Sequence, residues 1–456
     1  MLTDQEQKIL SCCDALFDET LELTENLVRA YSVLGQEQSA QAVMDDWYRK
    51  ENFNVTHVPL TETALSFGDD TDHLENTAHV GDKDQANNSA ENTIARRLNR
   101  SNISSYSASA SRYNVIATLN EGASGPHLVF NGHLDVVPAE PNKLWSRPPW
   151  EPWRDEHGWL YGRGAGDMKA GIAAMCMAVK AVRQAGVEIY HPVTLQTVIE
   201  EECTGHGALA CVNAGHTGDF VLIPEPFGAH IISGQVGVLW FRINLNGVPT
   251  HVLDTSAGTN AIEVVITLFN GLKALETEIN AAPRHPLFKE IDKPFNLNLG
   301  RINGGDWASS VPAYASVEGR IGFPPGIAVD DIKARVKACV EDQASKLGAG
   351  ISNLEVVFHG FCSEGVEVDL DDNGVRLLGQ CHQDLTGEAV TTKPLTCTTD
   401  LRAYKVHGGI NGTCYGPIAE NFHGVDERVD IESIRHVLKT YALFLSRWGA
   451  NASHDR

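Results

Sequence analysis

The residues that could do chemistry are two histidines and a set of carboxylates, far apart in the chain but each placed where it turns. His133-Leu134-Asp135 follows the apolar run Leu128-Val129-Phe130, and Asp167 ends the glycine-rich run Gly162-Arg163-Gly164-Ala165-Gly166. Glu200-Glu201-Glu202 closes the apolar run Val193 to Ile199, Glu225 lies between Pro224 and Pro226, and His423 opens the late segment His423-Gly424-Val425-Asp426-Glu427. His133, Asp167, Glu202, Glu225 and His423 are all nitrogen or oxygen donors. A mixed set of this kind suits zinc, or cobalt and manganese as substitutes, and a shared carboxylate can hold two ions a few ångströms apart. Two such ions would polarise a carbonyl and generate hydroxide near neutral pH. Each residue alone has a plainer reading. A lone histidine at a strand end is more often a surface or capping group, and three successive glutamates are usually a solvated face. What joins them is position.

The elements that must supply that position are legible from periodicity. Gln5 to Ala30 reads as a helix, Ser39 to Lys50 as a second, and Phe53 to Val58 as a strand. Strand character returns at Asn114 to Leu119 and at Leu128 to Phe130. Ile172, Met175, Cys176, Val179 and Val182 recur at helical spacing, with Gly186 as a stop. Val193 to Ile199 and Asp219 to Ile223 are buried-type strands, separated by a helix from Gly207 to Ala214. This alternation predicts an open, mostly parallel α/β sheet, in which chemistry lies beyond the carboxyl ends of the strands. After Gly237 the order changes to strand, helix, strand, strand, helix, strand, from Val238 to Phe358. That is the split βαβ order of a ferredoxin-like domain, inserted into the first. The tail resumes α/β character, with helices near Gly374 to Thr386 and from Ile431 to Trp448, and a strand near Gly409 to Thr413.

The expected organisation is therefore a catalytic domain from 1–236 and 362–456, with an inserted domain over 237–361. Residues 61–112 differ in kind, being rich in Asp, Asn, Ser, Thr and Ala with no steady period. They read as an insertion within the catalytic domain: a surface excursion, or a flap over the site with Ile94 to Leu98 as a short helix.

At 456 residues the chain is too long for one ordinary core. A net charge of −23 argues against nucleic acid and anionic membranes as partners. No apolar run is long enough to span a bilayer. The first residues lack the charged and apolar regions of a signal peptide. The ten cysteines are scattered without a CxxC pair, as expected of buried free thiols. Together these point to the cytoplasm.

Taken in order, His133-Leu134-Asp135, the Gly162 to Lys169 run, Glu201-Glu202, Pro224-Glu225-Pro226 and His423 to Glu427 resemble the M20 metallopeptidase family. Acetylornithine deacetylase, succinyl-diaminopimelate desuccinylase, aminoacylase and the glutamate-releasing carboxypeptidases belong to it. The resemblance covers nearly the whole chain and implies two divalent ions, zinc first and cobalt or manganese as substitutes. It implies that Asp167 bridges them, with His133 and Glu225 completing one site and Glu202 and His423 the other. Asp135 would stand behind His133 and orient its imidazole, and Glu201 would be the general base. Glu200 is the rival by one residue of misregistration. The resemblance also implies a cis peptide after Asp167.

In the inserted domain, Gly247-Val248-Pro249-Thr250-His251 resembles the family's segment whose histidine reaches into a partner subunit's site, which implies that this domain is a lid and a homodimer interface. His251 would then stabilise the oxyanion. Arg320 matches an arginine that grips a substrate carboxylate, and Arg402, in Thr399-Asp400-Leu401-Arg402, matches a loop near the cleft. Where relatives often carry Asn, this chain has Ser310 before Val311-Pro312.

The function implied is removal of an N-acyl group from an amino acid or related amine. The alternatives are a dipeptidase or carboxypeptidase acting on a short peptide, and a non-catalytic binding protein on the same scaffold. The acyl group, the amine and the native metal are not specified by these residues.

Overall fold

Six strands form the central sheet of the computed structural model, in the order Asn54–Leu60, Ser109–Leu119, Val193–Val198, Leu128–His133, Phe220–Ile223 and Gly412–Cys414. Residues 2–61, 109–282 and 285–449 are described. The four strands from Val193–Val198 to Gly412–Cys414 pair in parallel, and the first two add antiparallel at one edge. Every residue of Leu128–His133, Val193–Val198 and Phe220–Ile223 is buried, as expected where helices cover both faces. Most of the 61–112 insertion, including the helix expected at Ile94 to Leu98, lies outside the described residues. Its last residues do not belong to a loop: the strand starts at Ser109, five residues before the expected Asn114.

Helix Ala170–Gln184 buries twelve of its fifteen residues, more than the single apolar stripe its periodicity suggests. The reason is that it is covered from several sides, by the N-terminal helices Asp4–Ala15 and Phe17–Arg29 and by Ile431–Arg447. Alanine and glycine fill the positions between its larger residues, which lets these neighbours approach. Gly171 shows how tight this is, because a Cβ there would run into the Pro224 carbonyl. The expected N-terminal helix is two helices, interrupted at Leu16 (φ −92°, ψ 2°), and its start is fixed by a capping box between Thr3 and Glu6.

The inserted unit is a four-stranded antiparallel sheet in the order Leu297–Gly304, Tyr314–Phe323, Gly237–Asn246, Ser352–Ser363. Helices Ala261–Ala281 and Val329–Leu347 pack on one face. With strand–helix–strand–strand–helix–strand order, this is the ferredoxin-like arrangement. It has its own core, built on Leu239, Phe241, Ile243, Val317, Ile321 and the helix residues Val265, Leu268 and Val336. Several pieces gave no sequence signal. Trp159–Tyr161, Ala419–Glu420 and Arg428–Asp430 are strands of two or three residues, too short to show a period. Ile231–Gln235 is interrupted by Ser233-Gly234. No helix among the described residues is long and apolar enough to cross a membrane.

Candidate active site

Three neighbouring parallel strands deliver most of the site. Leu128–His133 lies between Val193–Val198 and Phe220–Ile223, so His133, the Glu200 to Glu202 turn and Glu225 emerge at one edge. Asp167 arrives from the glycine-rich turn just before helix Ala170–Gln184, and the Asp167–Met168 peptide is cis. His423 comes from the C-terminal segment, at φ 61°.

These residues form two donor groups that share Asp167. His133, Asp167 and Glu225 make one, and Asp167, Glu202 and His423 the other, with one ligand atom of each residue within 4.8 Å of the others in its group. Asp167 Oδ1 lies 3.1 Å from His133 Nε2, while its Oδ2 lies 3.5 Å from His423 Nε2. His423 Nε2 is also 3.0 Å from Glu202 Oε2, and His133 Nε2 is 4.0 Å from Glu225 Oε1.

Asp135 stands behind His133, but the imidazole's hydrogen bond goes to its main chain. His133 Nδ1 is 2.9 Å from the Asp135 carbonyl oxygen and 3.8 Å from the carboxylate. A carbonyl only accepts, so Nδ1 carries the proton and Nε2 faces the donor group. The Asp135 carboxylate instead accepts the backbone N–H groups of Glu201 and Glu202, at 3.2 and 3.1 Å. It therefore holds the glutamate turn to the histidine strand.

Glu200 is separated from its two neighbours by backbone geometry. At φ 67° it turns its side chain away, into a buried ion pair with Arg112, which also bonds Glu37 at 2.6 Å. Thr204 Oγ1 donates to the other Glu200 oxygen at 2.7 Å. Glu201 and Glu202 are the two whose charges act on His133 and His423.

Glu427 has a part that the sequence reading did not single out. Its buried carboxylate accepts the N–H groups of Gly164, Gly166 and Asp167, each at 3.0 Å, and Arg163 Nη1 at 2.6 Å. It thereby fixes the turn that presents Asp167. The only available signal was its place four residues after His423, and an acceptor of backbone N–H groups has no motif of its own. Asp400 is the other omission: buried, bonded by Asn131 Nδ2 at 2.9 Å, with Tyr404 bracing that asparagine.

The charges explain one another. Burial raises the Glu201 carboxyl, and Glu225, Asp400 and Glu202 raise it further against the pull of His133. Burial and Asp167 likewise hold Glu225 well above the ordinary carboxylate range. Burial brings Asp135 to about 8 and Asp400 to about 6. For Asp167, burial is outweighed by His133 and His423, which pull it down. His423 is raised to about 11, by Glu202 first. Burial lowers His133, but Asp167, Glu201 and Glu225 more than offset it. Two histidines thus face a larger number of buried carboxylates.

His251 and the two arginines lie elsewhere. His251 is exposed on the inserted unit, where its Nδ1 accepts the Leu253 N–H at 3.0 Å and its backbone bridges to Ser310. Arg320 Nε and Nη2 are buried without a hydrogen-bond partner among the described residues, and burial lowers its pKa. Arg402, expected near substrate, donates to the Thr204 carbonyl and lies 5.3 Å over the Phe361 ring. It ties the glutamate turn to the inserted sheet.

Residues 129–447 match Peptidase family M20/M25/M40. The chain is 29% identical over 363 residues to the N-formyl-4-amino-5-aminomethyl-2-methylpyrimidine deformylase of Bacillus subtilis, covering 74% of this chain and 83% of that one. It is 28% identical to a succinyl-diaminopimelate desuccinylase of Caulobacter vibrioides, covering 72% and 83%. Among solved structures, a di-peptidase from Saccharomyces cerevisiae shares the fold with a TM-score of 0.78 at 13% identity, covering 98% of each chain.

Proposed function

The chain belongs to peptidase family M20/M25/M40, and from that premise we propose that it removes an N-acyl group from an amino acid or related amine at a pair of divalent ions. It is a metal-dependent hydrolase of amide bonds. Both relatives named above bear the names of acyl-removing enzymes, which favours deacylation over peptide cleavage.

The observation that carries the reading is Asp167, whose two oxygens face two different histidines. Asp167 would bridge the ions, His133 and Glu225 completing one site, Glu202 and His423 the other. The residues fit such a pair. Buried carboxylates outnumber the histidines, a surplus that cations neutralise. The Nδ1 proton of His133 is committed to a carbonyl, which leaves Nε2 as the ligand atom. When bound, the ions polarise the scissile carbonyl and make water acidic enough to attack near neutral pH. Zinc suits this donor set, with cobalt or manganese as substitutes.

Glu201 takes the proton of the attacking water and hands it to the leaving amine. Its carboxyl is raised by burial, the direction a base working near neutral pH needs. His251, with Nδ1 accepting a backbone N–H, keeps its proton on Nε2 and offers it to the oxyanion. It does so from a second copy of the chain. Leu253 and Trp307 are 90% and 73% exposed on the same unit, which supports residues 237–361 as a lid and homodimer interface. Arg320 grips the substrate carboxylate, while Arg402 acts on the cleft through the Thr204 turn. Cys13, Cys176, Cys211 and Cys381, buried in apolar packing, suit a reducing compartment and support a cytoplasmic location.

Metal analysis and a panel of N-acyl amino acids and dipeptides, assayed with zinc, cobalt and manganese, test the reading. Two ions per chain and release of the acyl group are expected. Cleavage of dipeptides alone would make it a peptidase. Absence of both metal and turnover would make it a binding protein.

A further inference from the structure

The inserted sheet has a second face, opposite its apolar core. Side chains alternate along a strand, so Trp240 and Arg242 point away from Leu239, Phe241 and Ile243. Arg320 pairs with Trp240 and Glu318 with Arg242, placing all four on this face. Glu318 binds Arg242 and Arg301 with its two oxygens, at 2.9 and 3.3 Å.

His359 enters the same face through an irregularity. Phe358 pairs with Phe241 and pairing resumes at Cys362 with Leu239, so His359, Gly360 and Phe361 together oppose Trp240. The rings of His359 and Phe361 stand edge-on to Trp240, with centroids at 6.2 and 5.5 Å. Gly360 has φ 64°, and a Cβ there would strike Trp240 and come within 3.0 Å of the Cys203 carbonyl. The bulge therefore rests on the turn that carries Glu201 and Glu202. On the other flank, Cys397 feels both Arg320 and the cluster residues Glu225 and Glu201. This face is a wall of the cleft.

His359 is 7% exposed, and neither ring nitrogen has a hydrogen-bond partner among the described residues. Burial, then Arg242 and Arg301, draw its pKa to about 3, even with Glu318 paired to both arginines. It is a neutral imidazole with an N–H to donate, in a positive field. Arg320 lies across Trp240 from it, also with unpartnered nitrogens. The three residues occupy three adjacent strands, so the two anchors are separated by two strand spacings, roughly 10 Å at the backbone. Buried donors without acceptors are unfavourable unless something completes them.

We propose that His359 is a specificity-determining residue that receives a second acidic group of the substrate, which lies across Trp240 with its first carboxylate on Arg320. The substrate class is an N-acyl amino acid with a carboxylate at each end, one on the amino acid and one on the acyl group. The charge favours this over an uncharged polar end, since Arg242 and Arg301 both act on the imidazole as positive charges. The inference rests on reading the cleft as the deacylation site.

Three probes share an α-carboxylate and the scissile amide and differ only at the far end: N-succinyl-, N-succinamoyl- and N-pentanoyl-L-alanine. Metal-replete protein should prefer them in that order, with at least a tenfold span in kcat/KM. His359→Leu should collapse the span to about twofold, and His359→Gln, which keeps an N–H donor, should restore most of it. Calorimetric binding of the same probes to Glu201→Gln protein reads the preference without turnover. If no probe is hydrolysed but the binding order holds and depends on His359, the deacylation reading falls and the anion site stands. Equal binding of all three, as when water alone satisfies His359, overturns the proposal, as does a preference that survives His359→Leu.

Discussion

The edge of the parallel sheet and the polar face of the inserted sheet meet at one cleft, yet they hold buried charge in opposite ways. At the sheet edge, Asp167, Glu202 and Glu225 gather around two histidines with Glu201 beside them; burial raises Glu201 and Glu225, while His133 and His423 pull Asp167 down. On the inserted sheet, guanidinium groups dominate and His359 is kept neutral. One surface is complementary to cations and the other to anions. If the proposed roles hold, chemistry and selection belong to separate parts of the chain, and each can be broken without the other.

The sharpest break is at the sheet edge. Glu201→Gln should lower kcat by roughly 10²–10⁴ with both metals retained. Near-normal turnover in metal-loaded Glu201→Gln would remove the base from the mechanism. On the inserted sheet, Arg320→Met should cost about 10² in kcat/KM, carried by KM and confined to substrates with a carboxylate. An equal loss on an uncharged amide would erase the division of labour.

A subtler break reaches the metals through the turn that presents Asp167. Glu427→Gln removes the charge that gathers three backbone N–H groups, and metal affinity should fall about 10- to 100-fold, measured by competition with a chelator. A variant that binds metal as tightly as the parent would show that the turn holds its shape unaided.

The smallest effect is on pH. Without metals, His423 at about 11, Asp135 at about 8 and Asp400 at about 6 all lie above their unfolded values of about 6.5 and about 3.9. The folded chain then holds protons that the unfolded chain releases. Stability from these groups is full below the unfolded values and is lost as pH rises through the folded ones. With metals bound, the ligands are already deprotonated, and affinity rises with pH. Lys169, drawn down to about 7 by burial, works in the opposite sense but is common to both forms. The gap in Tm between metal-loaded and chelated protein should therefore widen from pH 6 to pH 9, by calorimetry. A constant gap would place the titrating groups elsewhere. His359, held at about 3, adds its dependence only below its unfolded value, as pH falls from about 6.5.

The same contrast governs what could be read from the sequence. His133 ends a buried strand, Glu202 and Glu225 lie in the turns just after two others, and Asp167 follows a glycine-rich turn, so each is marked by a break in the chain's regular pattern. Sheet edges leave such marks because the chain must reverse there. Arg242, Glu318 and His359 sit inside strands, where alternation shows only that a residue faces away from the core. Their meaning depends on which strands adjoin, and the register across Trp240 is set by pairings more than a hundred residues apart. The turn at Glu200 illustrates a middle case. The spacing to Gly205-His206-Gly207-Ala208 favours Glu201 and Glu202 over Glu200, and only the structure shows what Glu200 does instead, at a positive φ and paired with Arg112.

The grip of Glu427 on the Asp167 turn joins points 260 residues apart in the chain. During synthesis, the first half of the protein can fold its parallel strands while the anchor for that turn has yet to be made. His423 and Glu427 emerge together, so the second donor group and the brace for the shared carboxylate are completed in one event. Nascent chains should therefore stay inert toward amides until residue 427 has left the ribosome, a built-in delay between translation and hydrolysis.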